Sequence, residues 1–166
     1  AERGDAPLAR IAIVDEAPQS QFLYPEFLLF KKLFERHGYA AVVCDPVELA
    51  FADGELRHGG ERIDLVYNRL TDFGLEAPAS AAPWPAWLAG AAVVTPHPRA
   101  HALYADKRNL TLLTDEAVLA ELGVDAATRA VLLGGIPRTR RVRREEAEAL
   151  WAARKQLFFK PAAGYG

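Results

Sequence analysis

The chain has one cysteine, Cys44, and no methionine. A lone cysteine excludes an intramolecular disulfide and a cysteine-rich zinc site, and it suits a reducing, cytoplasmic setting. No apolar run approaches the roughly 20 residues that cross a bilayer, and Ala1 to Asp5 lack the basic-then-apolar order of a secretion signal. No membrane attachment is expected. The formal net charge of -2 gives no excess of one sign, which argues against a nucleic-acid-binding tail. The phosphate-loop pattern G-x-x-x-x-G-K-[ST] and the dinucleotide pattern G-x-G-x-x-G are both missing. The absent methionine, even at position 1, and an end at Gly164-Tyr165-Gly166 lead us to expect a piece of a longer protein.

What is present is ordinary globular material: 166 residues, 51% hydrophobic and 25% charged, enough for one large domain or two small lobes. Leu8 to Val14 is an apolar, β-branched run and reads as a buried strand, ended by Asp15-Glu16-Ala17-Pro18. The missing glycines after it speak against a nicotinamide or flavin there. Leu23, Phe27, Phe30 and Phe34 then line one helical face within residues 21–37, with Pro25 tolerated in the first turn and Gly38 as the stop. Tyr39 to Cys44 is a second strand, Val47 to Phe51 a helical turn or two, and the segments flanking Gly59-Gly60 a hairpin. Ile63 to Tyr67 is another strand, ending in Asn68-Arg69. Leu75 to Gly90 suggests a broken helix that packs Trp84 and Trp87 on the sheet, and Ala91 to Val94 a further strand before Thr95-Pro96-His97-Pro98.

From Arg99 to about Leu133 the pattern is helical, and the tail reads as a β-α-β: strand Arg138 to Val142, helix Arg144 to Lys155, strand Leu157 to Lys160. A lobe boundary is expected near residues 98 to 104, with the units taken as 1–98 and 99–166. Lys160 stands at the carboxyl edge of an apolar run before a glycine-bearing loop, a pattern suited to an oxyanion because glycine lets backbone amides approach closely. A plain turn with a solvated Lys160 fits the same residues. In the first lobe Asn68, Arg69 and His97 are the substrate-side candidates, since carboxyl ends of strands in an open α/β sheet face the ligand crevice and arginine grips carboxylates. The alternatives are that Arg69 pairs with Asp72 or Glu76 and that His97 merely ends a strand. The arginines at 138, 140, 141, 143 and 144 are offset by Glu145, Glu146 and Glu148 and read as a solvated surface. Cys44 reads as a core residue without a histidine partner, and His37, His58 and His101 show no metal-ligand spacing.

Gly135-Ile136-Pro137-Arg138-Thr139, followed by Phe158-Phe159-Lys160-Pro161-Ala162-Ala163-Gly164-Tyr165-Gly166, resembles the start of an ATP-grasp domain. Ala105-Asp106-Lys107-Arg108-Asn109 is similar to the D-K element that opens many such domains. The resemblance implies a Rossmann-like α/β lobe with a mainly parallel sheet, followed by an incomplete α+β ATP-grasp subdomain. In glutathione synthetases, D-alanine ligases and biotin carboxylases the corresponding lysines touch ATP. The resemblance therefore implies ATP contacts at Lys107, Lys160, Gly164 and Gly166, with Mg2+ ligands expected beyond Gly166. The implied activity is ATP-dependent activation of a small carboxylate through an acyl phosphate, then attack by an amine or similar nucleophile. An ATP-grasp kinase and a non-catalytic α/β ligand-binding or interaction module are the alternatives. A homo-oligomer is compatible with either.

Overall fold

The computed structural model describes residues 4–163. The chain is mixed α/β and divides into two compact units, Ala1–His101 and Ala102–Gly166.

The first unit is built on a four-stranded parallel sheet of β1 (Arg10–Val14), β2 (Ala40–Cys44), β6 (Leu65–Asn68) and β7 (Val93–Thr95), in the order β2-β1-β6-β7. The central strand explains itself: Ile11, Ala12, Ile13 and Val14 are all buried, as required of a parallel strand covered on both faces. Helix α1 (Tyr24–Arg36) covers one face, with Pro25 in its first turn as expected. Phe27 is fully buried there, and Phe30 meets Tyr67 edge-on at 5.1 Å. Ala12, Val14, Val66 and Val94 form the opposite face and pack with Leu56, Ile63, Leu70 and Ala86 in one apolar cluster. Asp64 ties the amino ends of the strands together, accepting from the amides of Ala9 (2.9 Å) and Arg10 (3.0 Å) while its own amide donates to the Arg10 carbonyl.

Between β2 and β6 the chain makes a small antiparallel sheet of β3 (Leu49–Ala52), β4 (Glu55–His58) and β5 (Glu61–Arg62). The Gly59-Gly60 hairpin forms as read from the sequence. Strand β3 replaces the helical turns expected up to Phe51; only Pro46–Glu48 turns, as a 3-10 segment. The reason lies in Asp53-Gly54: both residues have positive φ, 53° and 75°, so this dipeptide closes a second two-residue hairpin and extends what precedes it. The broken helix resolves into a 3-10 turn (Pro78–Ala81) and α2 (Pro83–Leu88). Trp87 packs against the core, whereas Trp84 stays partly exposed.

The second unit begins along α3 (Pro98–Tyr104) and continues through α4 (Asn109–Leu113), α5 (Glu116–Glu121) and α6 (Ala126–Gly135). The side chains of Asp115 and Asp125 accept from first-turn amides of α5 and α6, which fixes where those helices start. The tail departs from the expected β-α-β. Helix α7 (Ala147–Ala152) forms with 3-10 turns on either side, but residues 138–142 and 157–160 are not strands. A strand exists only through its ladder, and no described segment pairs with either run. Residues 137–139 are held instead by Thr114, whose hydroxyl accepts from the Thr139 amide at 3.1 Å. No helix among the described residues is long and apolar enough to cross a membrane.

Candidate functional site

The order β2-β1-β6-β7 places a topological switch point at the carboxyl ends of β1 and β6, because the chain leaves β1 first to one side and later to the other. Asp15 follows β1 there, Asn68 ends β6 and Arg69 follows it. The Arg69 amide donates to the Val14 carbonyl at 2.9 Å and so extends the ladder one residue past β6.

The Arg69 guanidinium is held on several sides. It pairs with Glu26 of α1 at 2.9 Å, donates to the Tyr67 hydroxyl at 3.2 Å, and lies over the rings of Phe27 (5.6 Å) and Tyr67 (5.5 Å). The sequence alternative that Arg69 pairs with Asp72 or Glu76 is thereby corrected: its carboxylate partner comes from the helix above the sheet. A quarter of the Arg69 side chain stays exposed, 25%, which leaves a face open to solvent. Burial raises the Asp15 carboxyl above its usual range, against the opposing effects of the Glu16 amide and the Arg69 charge.

Asn68 and His97 are drawn into the architecture. Buried Asn68 donates from its amide nitrogen to the Pro96 carbonyl at 3.4 Å and accepts from the Leu70 amide at 3.0 Å, joining the ends of β6 and β7. His97 Nδ1 accepts from the Ala100 amide at 3.0 Å, in the first turn of α3, and its ring stacks on Trp87 at 5.7 Å.

Asp72 anchors the loop after Arg69, accepting from the amides of Glu76 (3.0 Å) and Ala77 (2.9 Å) and from the buried Ser80 hydroxyl (2.9 Å). Burial alone would raise its carboxyl, but these donors together hold it below the ordinary 3.8. A depressed folded-state value means stability that is present above the unfolded value, about 3.9, and is lost as pH falls through the folded one. Asp72→Asn is therefore expected to lower Tm at pH 7 and to differ less from the parent at pH 3. Equal differences at the two pH values would rule the anchor out.

In the second unit the Lys107 amide donates to the Ala162 carbonyl at 2.9 Å. This brings the segments bearing Lys107 and Lys160 side by side in one unit. Asp106 is bound by Arg108, through its side chain and then its amide, and is held down to about 2. The Lys160 ammonium lies 5.3 Å from the Phe158 ring centroid. Gly164 and Gly166 lie outside the described residues.

Sequence reasoning missed a third group. The side-chain donor atoms of Cys44, Glu48 and His58 lie within 4.8 Å of one another, with His58 Nε2 3.2 Å from Glu48 Oε2. Cys44 thus has the histidine neighbour that linear spacing did not reveal. The readable signal was the hairpin: with Leu49 paired to His58, Glu48 stands beside that imidazole. Burial first, then the Glu48 and Asp45 charges, push the thiol up to about 12, which makes it a poor free nucleophile. A shallow depression of about 300 Å³ beside this group is lined by Pro46, Val47, Leu49, Phe51, Pro78 and Ala82. Its lining residues carry no charged or hydrogen-bonding side chain with which to orient a charged substrate. Comparison with protein-family models finds no match, and comparison with curated proteins finds none either.

Proposed function

We propose that this chain belongs to an ATP-dependent ligase of the ATP-grasp type, with a Rossmann-like pre-ATP-grasp lobe followed by the start of the ATP-grasp domain. The observation that carries the reading is the hydrogen bond from the Lys107 amide to the Ala162 carbonyl, which joins the two segments whose lysines the resemblance assigns to ATP. The switch-point position of Arg69 supports a carboxylate substrate, because an oriented guanidinium offers paired donors to both oxygens. Lys107 and Lys160 would hold the phosphates, and the glycines at 164 and 166 would lend backbone amides. ATP with Mg2+ supplies the transferable phosphoryl group. The residues act by orientation and charge neutralisation and transfer no proton.

The fold-holding bonds of Asn68 and His97 favour a second reading, a non-catalytic α/β ligand-binding module. One experiment separates them. For the complete gene product, Mg·ATP at about 100 times Kd is expected to stabilise by about 2.7 kcal/mol, a Tm rise of roughly 5–10 °C. A carboxylate and an amine should then yield ADP, phosphate and an amide, whereas a phosphorylated product without ligation identifies a kinase. No shift with Mg·ATP removes the ligase reading.

A further inference from the structure

Three separate elements build the cluster at the end of β2. Cys44 is the last residue of that strand, Glu48 closes the 3-10 turn that follows, and His58 ends β4. Each contributes one ligand atom to a space no wider than 4.8 Å. We propose that Cys44 Sγ, a Glu48 carboxylate oxygen and a His58 ring nitrogen bind a divalent zinc-type cation, with water in a fourth position.

The donor chemistry selects the metal. Thiolate and imidazole favour a borderline-soft ion such as Zn2+, whereas Mg2+ and Ca2+ favour oxygen donors throughout. The spacing fits as well. Nitrogen and oxygen ligands at about 2.0–2.1 Å from a tetrahedral zinc stand roughly 3.4 Å apart, close to the 3.2 Å between His58 Nε2 and Glu48 Oε2. Glu48 is exposed and His58 half-buried, so both side chains have room to close on the sulfur without disturbing the core. Thiolate and carboxylate together carry two negative charges and neutralise the dication. On binding, the Cys44 S–H bond breaks, a sulfur–metal bond forms and the proton leaves to solvent, with no redox partner required. The cation would pin the end of β2 to β4, joining the parallel and antiparallel sheets of the first unit. This site is independent of ATP, whose Mg2+ would be held by oxygen ligands.

Cobalt(II) is the probe, titrated into the full chain without chelators. The expected result is one equivalent bound with intense tetrahedral d–d bands and a thiolate-to-cobalt charge-transfer band, both erased by Zn2+. Cys44→Ser should abolish the charge-transfer band, and His58→Ala and Glu48→Ala should each weaken cobalt binding by tenfold or more. Should the buried Cys44→Ser variant fail to fold, the half-buried His58 decides: unchanged cobalt affinity in His58→Ala overturns the site. A faint octahedral spectrum without a charge-transfer band overturns it too.

Discussion

Phe27→Ala is expected to lower the stability of the first unit by about 3–5 kcal/mol, the usual loss for removing a fully buried aromatic ring. Total stabilities of about 5–15 kcal/mol make this a large fraction of the whole. Phe27 has no exposed surface and is the largest fully buried side chain among the described residues. Its other face supports the Arg69 guanidinium at 5.6 Å. One substitution therefore opens a cavity under α1 and removes the floor beneath the switch-point arginine. Urea unfolding measures the first effect, and Phe27→Leu, which keeps most of the volume, should recover more than half of it. A loss below about 1 kcal/mol in Phe27→Ala would mean that α1 does not pack as described.

On the proposed ATP-grasp reading, Lys160→Ala is expected to cut ATP-dependent turnover of the gene product by tenfold to a hundredfold, the order seen when a charge-stabilising donor is removed. The same change should leave Tm almost untouched. Lys160 is exposed, and its described contact is a cation–π approach to Phe158, itself 84% exposed. Such a contact at an exposed site contributes about 0.5–1 kcal/mol, too little to hold the ammonium against a triphosphate. Steady-state kinetics and a thermal melt thus read two separate consequences. Unchanged kinetics would take Lys160 out of the site and leave the glycine-bearing run as a structural turn.

The first unit was legible where local pattern and tertiary demand agree. The apolar run at β1, the four-three-four spacing of Leu23, Phe27, Phe30 and Phe34, and the Gly59-Gly60 turn each name their element and its place. Misreading began where one signal competed with another: Val47 to Phe51 carries apolar residues at helical spacing, but Asp53-Gly54 draws Leu49 to Ala52 into a ladder. The tail failed for a different reason, since strand propensity in Leu157 to Lys160 has nothing to pair with among the described residues. Of the site, the positions of Asn68 and Arg69 at the end of β6 were readable from strand order. Their partners were not. Glu26 reaches Arg69 across the α1–sheet packing, and His58 reaches Cys44 through a hairpin register; both contacts depend on distances the linear chain does not contain.

The aromatic platform under Arg69 also has a consequence for entropy. A free arginine samples many rotamers, and ordering a long charged side chain on ligand arrival costs about 0.5–1.5 kcal/mol. Here Phe27, Tyr67 and Glu26 have already removed most of that freedom during folding. A carboxylate approaching the exposed face would meet donors set at a fixed angle, so its affinity would depend on how well its own geometry matches theirs. Lysine at position 69 would keep the charge but lose the planar fork that stacks on these rings.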